Sequence, residues 1–496
     1  MSLVQVVDVG TTNIKSGVVN KKGEIVAQSS QELGLEHPEP AAAEHNPQKL
    51  FEAFCNVSRQ TNKGFRSEVN YLVLTGYLFG FLPLDKDKNP LTGIITLLDE
   101  RPKSIMEGLE ERFSLEELYN RTGCPPLFIY SFAKILWLKE KKPSVFDETE
   151  YFADLKSFLI EKLTEKFLTE LSVASATQLY NIHNEVWDEQ VLSWLSLDKN
   201  QLPELRAGSE KIASLDAEVG KLLGVKEGTI LLPGLYDGGA MILGMGGYEE
   251  DDAICNLGTT AMLRKSSPEP VLDRSDERRL QTYSLLPGRW AIGGSLNNAG
   301  IALKWLRDNI TPNKSYKAIV QAAKEVEPGS EGLIFLPFLT GERDPRIGNL
   351  SSGLFFGLKN YHSNQHLARA IMEGVVYSLG FVLKAMEERE IDVSKIVIGG
   401  SGSQSDLWPQ LVADILGRPV EKSLSKDSTL IGGAMLGYRE NGDYSTLEEA
   451  TNKMVRKGKE FTPEKHNRET YQRWQEFFYR LVSNVKPLFE EHSNLV

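Results

Sequence analysis

Cysteine is scarce in this sequence, with three residues among 496. Cys55, Cys124 and Cys255 are scattered, odd in number and contain no Cys-x-x-Cys pair. Disulfide frameworks and zinc sites need paired or clustered cysteines, so the pattern excludes both and is typical of a reducing compartment. The seven histidines form no His-x-x-x-His pair around a carboxylate. We therefore expect a cytoplasmic protein with no metal site of its own, which could still use Mg²⁺ brought by a nucleotide.

Positive charge is also in short supply. Lys and Arg number 56 against 68 Asp and Glu, which gives a net charge of −12. Such a chain does not hold polyanions by overall charge, so we expect no nucleic-acid or membrane partner. No apolar run approaches the ~20 residues that cross a bilayer. The first ten residues have no basic region and carry Asp8 within the apolar stretch, which is not the pattern of a signal peptide.

What is present is the composition of a folded, soluble protein. Hydrophobic residues make up 41% of the chain and charged residues 25%, with seven Trp, 16 Tyr and 21 Phe. This excludes disorder, and the length predicts two to four domains at roughly 150 residues each. Strand-like runs at Val4–Val9, Leu72–Leu74 and Ile396–Ile398 alternate with helical patterns. The sequence therefore predicts an α/β fold.

The chain nearly repeats itself. An apolar run ends in Gly10-Thr11-Thr12, and another ends in Gly258-Thr259-Thr260, 248 positions later and half the length of the chain. The matching flanks favour a duplicated domain over chance. A glycine cluster at 244–247, followed by the acidic run 249–252, is typical of an exposed hinge. We predict domains at 1–246 and 247–496.

Several familiar catalytic motifs are missing, including GxxxxGK[ST], HExxH and GxSxG, but glycine-rich turns follow three of the strands. In the first turn, backbone N–H groups and the hydroxyls of Thr11 and Thr12 could face phosphate oxygens. Asp8 could hold Mg²⁺ through water, and Lys15 could offset phosphate charge. An ordinary hairpin with a solvated Asp and Lys is the alternative.

The second turn, at Gly258-Thr259-Thr260, gains weight from its likeness to the first. The third, 399–406, stands between a strand and a helix that is predicted to run from about Ser405 to a stop at Gly417. Its glycines would admit a flat or anionic group closely, but a tight turn with Ser405 as the N-cap explains the pattern equally well.

Two acidic segments complete the set of candidates. Asp237 lies between the apolar run Ile230–Leu232 and a glycine-rich segment, where it could accept a proton from a hydroxyl nucleophile. An Asp-Gly turn is the simpler interpretation of that motif alone. Gly341-Glu342-Arg343 follows an apolar run and is typical of a charged surface turn.

In this order the motifs resemble those of the FGGY carbohydrate kinases, the sugar-kinase branch of the actin-like ATPase superfamily. The resemblance covers essentially the whole chain and rests on Asp8-x-Gly-Thr-Thr, Asp237-Gly, Gly258-Thr259-Thr260, Gly341-Glu342-Arg343, a segment at 353–373 and another at 399–414. It implies two actin-like (ribonuclease H-like) domains with ATP and Mg²⁺ in the cleft between them. A small sugar, sugar acid or polyol would lie beneath the nucleotide, and a homodimer is plausible.

The resemblance also implies roles for individual residues. Asp237 would be the general base and, with Asp8, would lie near Mg²⁺. ATP would contact the residues Thr11, Thr12, Lys15, Gly258, Thr259, Gly300, Gly400, Ser401 and Ser405. The acceptor would contact Tyr77, Phe79, Asp99, Arg101, Asn297 and Asp237.

The paired asparagines in 293–300 are similar to the gluconokinase and xylulokinase branch, but the acceptor loops depart from it. Leu78-Phe79 stands where those kinases carry Met-His, and Leu97 stands where they carry Trp, whereas Asp99 and Arg101 are kept. An apolar pocket discriminates less sharply than one built from hydrogen bonds. A less polar or deoxygenated acceptor, or a shifted alignment of these loops, would explain the change.

Two other functions compete with a kinase. A sugar- or nucleotide-sensing protein on the same fold would be expected to lack Asp237 or one of the phosphate turns, and both are present. A filament-forming or chaperone ATPase would need polymer or peptide surfaces, and the motifs favour a sugar kinase over it. The sequence therefore predicts ATP-dependent phosphorylation of a hydroxyl group.

Overall fold

The structure, a computed structural model, describes residues 2–248 and 252–495. In the first half the strands and helices are, in chain order, β1 Leu3–Val9, β2 Asn13–Val19, β3 Ile25–Glu32, β4 Glu44–His45, α1 Pro47–Thr61, β5 Val69–Gly76, β6 Leu82–Leu84, β7 Ile94–Ile95, α2 Leu109–Arg112, α3 Leu115–Thr122, α4 Ser131–Lys141, α5 Pro143–Glu148, β8 Tyr151–Ala153, α6 Leu155–Thr164, β9 Leu168–Glu170, α7 Leu171–Ala174, β10 Tyr180–Asn181, β11 Val186–Trp187, α8 Glu189–Leu195, β12 Glu204–Arg206, β13 Ala213–Ser214, α9 Ala217–Leu223, β14 Ile230–Leu232 and α10 Asp237–Gly244.

The second half continues the α/β pattern. Its elements are β15 Asp252–Leu257, β16 Ala261–Ser267, β17 Gln281–Leu286, β18 Arg289–Leu296, α11 Gly300–Trp305, α12 Tyr316–Lys324, β19 Ile334–Leu336, β20 Leu354–Phe356, α13 Asn364–Glu387, β21 Lys395–Gly399, α14 Leu407–Leu416, β22 Val420–Ser423, α15 Ser428–Glu440, α16 Leu447–Met454, β23 Lys457–Phe461 and α17 Lys465–Ser493.

Two mixed sheets of the same design carry the two Gly-Thr-Thr turns. The first has the order β13-β14-β5-β1-β2-β3 and the second β17-β18-β16-β15-β21-β22-β23. β1 is antiparallel to β2 and parallel to β5, and β15 is likewise antiparallel to β16 and parallel to β21. Each turn closes an equivalent central hairpin, so the predicted duplication is confirmed. At the position two residues before the turn glycine, Asp8 in the first hairpin corresponds to Asn256 in the second.

A shared core joins the two sheets. It contains apolar residues of β1 and β5 from the first sheet, of β15 and β21 from the second, and of α10, α15 and α16. Helices α10 and α15 approach closely because both present glycine: a Cβ on Gly244 would overlap the Ser428 carbonyl, and a Cβ on Gly432 would overlap the Ala240 carbonyl. Helix α15, from the second half of the sequence, also packs on β1 of the first sheet.

The structure corrects two expectations. Gly244 and Gly247 of the predicted exposed hinge are buried, because their missing side chains permit the close contact with α15 and with Ile254. The acidic residues 249–251 of that hinge lie outside the described residues, and the domain boundary at 246/247 stays a prediction. The helix expected from Ser405 instead begins at Leu407 with Asp406 as N-cap, because 401–404 form a 3-10 turn. It does end at Gly417, as predicted.

Helix α13 is the most apolar long helix of the described chain. Its 24 residues have a mean hydropathy of 1.3 over an 18-residue window, so by length and composition it could cross a bilayer, contrary to the expectation that no apolar run approaches that length. The window is 94% buried within the protein. That burial is typical of the central helix of a core. The three cysteines are also buried and free, and burial raises the pKa of each thiol to about 12.

Candidate functional site

The first Gly-Thr-Thr turn places a buried carboxylate beside a lysine. Asp8, at the carboxyl end of β1, is 5% exposed and accepts a hydrogen bond of 2.9 Å from the Thr75 hydroxyl. Lys15 Nζ lies 3.6 Å from Asp8 Oδ2 and 2.7 Å from Asp427 Oδ2. Asp427 caps α15 and was missed from the sequence, because it lies 412 positions from Lys15. Burial raises the pKa of Asp8, and the charge of Asp427 adds to that shift.

A histidine joins this turn to the predicted acceptor loop. His45 Nε2 lies 3.0 Å from the Thr11 carbonyl oxygen, and His45 Nδ1 lies 2.8 Å from the Tyr77 hydroxyl. A carbonyl oxygen can only accept, so Nε2 donates and, in the neutral ring, Nδ1 accepts from Tyr77. Burial lowers the pKa of His45, which favours that neutral form. Sequence patterns gave no signal for His45, since it belongs to no motif. Thr12 in the same turn is exposed.

The three glycines predicted to bind the nucleotide lie together at the second turn. The N–H of Gly300 donates to the Gly258 carbonyl at 2.9 Å. A Cβ on Gly300 would lie 2.6 Å from that oxygen, and one on Gly400, whose φ is +85°, would lie 2.5 Å from the Leu257 carbonyl oxygen. Only glycine allows these approaches. The structure therefore brings Gly258, Gly300 and Gly400 together at the carboxyl ends of β15 and β21.

The polar side chains beside these glycines are open to ligand. Thr259 and Ser401 are exposed. The buried hydroxyl oxygen of Ser405 has no hydrogen-bond partner among the described residues. A buried hydroxyl without a partner is rare in folded proteins, so the Ser405 side chain is suited to a ligand that reaches this turn.

Asp237 begins helix α10, and hydrogen bonds fix the residues before and after it. Its Oδ1 accepts from the Gly238 N–H at 2.7 Å. The preceding Tyr236 N–H donates to the Ser172 hydroxyl at 3.1 Å, and that hydroxyl donates to Glu170 at 2.8 Å. Glu170 also forms a fully buried ion pair with Lys156 at 2.9 Å. A buried charge network therefore fixes the backbone that carries the predicted base.

The electrostatic setting of Asp237 suits proton transfer. Burial, reinforced by the charge of Asp8, raises the pKa of Asp237 to about 7, against the opposing effects of Lys15 and Arg343. A carboxylate with a pKa near the working pH is an effective general base.

The segment Gly341-Glu342-Arg343 is buried beside Asn297. Glu342, 2% exposed, accepts from the backbone N–H of Asn297 at 2.7 Å and of Asn298 at 3.1 Å. Arg343 Nε donates to Asn297 Oδ1 at 2.6 Å. The expectation of a charged surface turn is wrong, because these long-range bonds draw the segment into the fold. The predicted acceptor contact Asn297 is thus committed to Arg343, whose charge acts on Asp237.

Of the other predicted acceptor residues, two lie in an ion-pair network. Arg101 contacts Asp99 at 2.6 Å, Glu44 at 2.5 Å and Glu39 at 2.7 Å, and it stacks 4.5 Å above the Trp137 ring. Asp99 is fully buried and also accepts from the backbone of residue 43. The structure places this pair where it shapes the loop at 94–101.

Tyr77 and Phe79 lie together on the other acceptor loop. The Tyr77 side chain is 3% exposed and that of Phe79 is 9% exposed. Phe79 adopts a left-handed backbone conformation with φ of +71°. Its carbonyl accepts from Lys134 Nζ at 2.5 Å, and the same ammonium donates to the carbonyls of Ile95 at 3.2 Å and Thr96 at 3.0 Å. Lys134 therefore joins the two acceptor loops, a role that no local sequence signal indicated.

Metal binding at this site would rest on few protein ligands. Among the described residues no group of three or more His, Cys, Asp and Glu could hold an ion. Asp8 is buried and Asp237 is partly buried, and the two lie close enough for the charge of Asp8 to raise the pKa of Asp237. This donor set fits Mg²⁺, which keeps several waters and binds through one or two carboxylates and substrate phosphates.

Comparison with protein families gives two matches that together span most of the chain. The model of the N-terminal domain of the FGGY family of carbohydrate kinases matches residues 3–244. The model of the C-terminal domain of that family matches residues 253–440.

Individual relatives agree with the family match. The gluconokinase of Bacillus subtilis (strain 168) is 27% identical over 487 residues, covering 96% of this chain and 94% of the relative. The xylulose kinase of the same strain is 26% identical over 492 residues, covering 98% of each. The crystal structure of gluconate kinase from Lactobacillus acidophilus superposes with a TM-score of 0.94 at 26% identity, covering 99% of this chain and all of the other. The predicted α/β fold of two actin-like domains is confirmed.

Proposed function

The chain belongs to the FGGY family of carbohydrate kinases, and from that premise we propose that it transfers the γ-phosphoryl group of ATP to a hydroxyl of a small sugar, sugar acid or polyol. The similarity to gluconokinases and xylulose kinases supports a gluconate-like or xylulose-like acceptor size. The buried free cysteines and the named relatives support a cytoplasmic location.

The observation that carries this proposal is the position of Asp237. The residue heads α10, is fixed by the network of Ser172, Glu170 and Lys156 behind it, and has Asp8 and Lys15 of the first turn within electrostatic reach. We assign to Asp237 the removal of the proton from the attacking hydroxyl.

The remaining residues position the nucleotide. Phosphoryl transfer depends on in-line placement and charge neutralisation more than on covalent chemistry. Backbone N–H groups of both Gly-Thr-Thr turns, the hydroxyls of Thr11, Thr12 and Thr259, and the Lys15 ammonium would face the phosphates. Gly300, Gly400, Ser401 and Ser405 would line the nucleoside. Mg²⁺, held through water and phosphate beside Asp8 and Asp237, would neutralise phosphate charge.

Exclusion of water would complete the mechanism. An open cleft would let water compete with the acceptor hydroxyl and hydrolyse ATP. Closure of the two halves around both substrates would remove that water.

The test is a coupled assay of ADP release with Mg-ATP and a panel of sugar acids, ketopentoses and polyols. We expect turnover with at least one acceptor and a loss of about 10²- to 10⁴-fold in Asp237→Ala, while ATP still binds. Asp87→Asn, in an exposed turn, is the matched control and should behave as wild type. Full turnover by Asp237→Ala would remove that residue from the role of base.

A further inference from the structure

A group of apolar side chains lies beside Asp237; Tyr130 among them is fully buried, whereas Leu97, Leu127 and Phe128 are partly exposed. We call this group the acceptor wall and define it by Leu78, Phe79, Leu97, Leu127, Phe128 and Tyr130, which belong to one packed cluster with Tyr236. The wall adjoins the base because Tyr236 directly precedes Asp237 and its backbone bridges that of Gly76, just before the loop at 77–80. An acceptor whose hydroxyl reaches Asp237 therefore lies against this wall. This inference rests on the proposed kinase function.

The polar groups in the wall and directly behind it are paired with neighbouring protein groups. The hydroxyls of Tyr130 and Tyr283 are hydrogen-bonded at 2.8 Å. The Cys124 thiol donates to the Ser175 carbonyl at 3.2 Å, and the Cys124 carbonyl accepts from the Gln178 amide at 3.1 Å. Tyr236 is not a member of the wall, and its buried hydroxyl has no hydrogen-bond partner among the described residues. The wall therefore has no accessible partner for an acceptor hydroxyl.

The wall is also held in one shape. Phe79 has a φ of +71°. Its carbonyl oxygen receives a hydrogen bond from Lys134 Nζ and is therefore not free to bind a substrate hydroxyl. The other two protons of that ammonium bind the loop that carries Leu97, through the carbonyls of Ile95 and Thr96. Strained backbone of this kind persists where its surroundings determine it, and it concentrates at functional sites. The fixed, apolar wall is therefore part of the proposed acceptor site.

Polar recognition of the acceptor would rest on Arg343. Arg343 uses Nε on Asn297, and its terminal nitrogens make no hydrogen bond to the described residues. The guanidinium is within electrostatic reach of Asp237, Tyr130 and Tyr283. It can therefore bind an acceptor oxygen next to the hydroxyl that Asp237 deprotonates.

We propose that the acceptor is partly deoxygenated: it presents oxygen atoms to Asp237 and Arg343 and a methylene or methyl edge to the acceptor wall. A deoxy sugar, deoxy sugar acid or deoxy polyol fits this division. A hydroxyl pressed against the wall would give up its bonds to water without replacement. Apolar pockets reject an added hydroxyl by about 10- to 100-fold, which sets the expected preference in kcat/KM.

The test uses acceptor pairs that differ by one hydroxyl: D-xylulose and 1-deoxy-D-xylulose, D-gluconate and its 2-deoxy and 3-deoxy forms, and glycerol and propane-1,2-diol. We expect at least one pair in which the deoxy member has a kcat/KM about 10- to 100-fold higher. Equal or better turnover of the fully hydroxylated member in every pair would overturn the inference and leave the kinase function standing.

Variants locate the preference in the wall. Phe79→His introduces a hydrogen-bonding ring at a left-handed position that His tolerates better than most residues. It should reduce the deoxy preference about 10-fold without changing the KM for ATP. Leu98→His, a neighbouring residue that is 48% exposed and outside the wall, should keep the wild-type preference. An unchanged preference in a folded, ATP-binding Phe79→His would also overturn the inference.

Absence of turnover with all acceptors, with ATP binding intact, would count against the kinase function. Calorimetric titration of each acceptor pair into the wild-type protein then decides the inference separately. Tighter binding of a deoxy member would support it. Tighter binding of the hydroxylated members, or no binding of either, would overturn it.

Discussion

Gly258 and Gly300, which meet at the second Gly-Thr-Thr turn, differ in their room for a side chain. A Cβ on Gly258 would lie 3.5 Å from the Asn256 amide and 3.6 Å from the Thr260 carbonyl, which are ordinary contacts, whereas one on Gly300 would lie 2.6 Å from the Gly258 carbonyl. The fold therefore tolerates a methyl group at one position and not at the other. A substitution at Gly258 therefore tests ligand binding, whereas one at Gly300 tests packing.

We predict that Gly258→Ala keeps the wild-type melting temperature to within about 2 °C and binds ATP at least 10-fold more weakly, because the methyl group would occupy the space of a phosphate. Calorimetric titration with Mg-ATP and thermal unfolding check both parts. Gly300→Ala is the comparison and should lose thermal stability. Unchanged ATP affinity in Gly258→Ala would remove that turn from the nucleotide site.

At the scale of elements, helix α4 holds the two predicted acceptor loops together through Lys134, which is fully buried. We predict that Lys134→Met raises the KM for the acceptor more than the KM for ATP, because both loops lose their common anchor. Steady-state kinetics with each substrate varied in turn will measure the two constants. Lys141→Met, exposed on the same helix, is the control. Equal changes in both KM values would contradict a loop-specific role.

The same lysine gives a pH dependence of stability. Burial lowers the pKa of Lys134 to about 7, below the value of about 10.4 in an unfolded chain. Between these values the unfolded state binds the extra proton, so wild type gains stability as the pH rises from about 7 to 10. Lys134→Met lacks this contribution. The free energy of unfolding of wild type minus that of Lys134→Met, measured by urea unfolding at pH 7 and 9, should therefore be larger at pH 9. An equal difference at the two pH values would contradict the prediction.

The crossing of α10 and α15 depends on glycine. We predict that Gly432→Ala destabilises the protein by about 1–3 kcal/mol, because the added methyl overlaps the Ala240 carbonyl and separates the helices. Gly34→Ala, where a Cβ would meet nothing within 4 Å, is the control and should be near neutral. Equal stability of the two variants in urea unfolding would show that the helices adjust freely.

Features with a local signal were predictable from the sequence. The two hairpin turns and the end of α14 at Gly417 follow from residue type and spacing over a few positions. Asp427 and Lys134 act through partners 412 and 55 positions away, and no short-range pattern encodes such pairs. The buried state of Glu342 escaped prediction for the same reason, since its donors lie 44 and 45 positions away.

At the scale of the whole molecule, the core shared by both sheets predicts cooperative unfolding. Residues of β1, β15, α10 and α15 pack in one cluster, so neither half can lose its sheet without exposing the other. We predict a single calorimetric transition whose van't Hoff and calorimetric enthalpies agree. Two resolved transitions, or one lost selectively in Gly432→Ala, would show that the halves unfold independently.

Because all three thiols are buried, we expect the native protein not to react with maleimides and other thiol-selective dyes, which need an accessible thiolate. A single cysteine introduced on an exposed residue at the rim of the cleft would then be the one reactive site, with no native cysteine removed. Pairs of such labels would report the separation of the two halves by energy transfer as nucleotide and acceptor are added. Because the native cysteines are buried, only the introduced cysteines would carry label, and the labels would report closure of the two halves in solution.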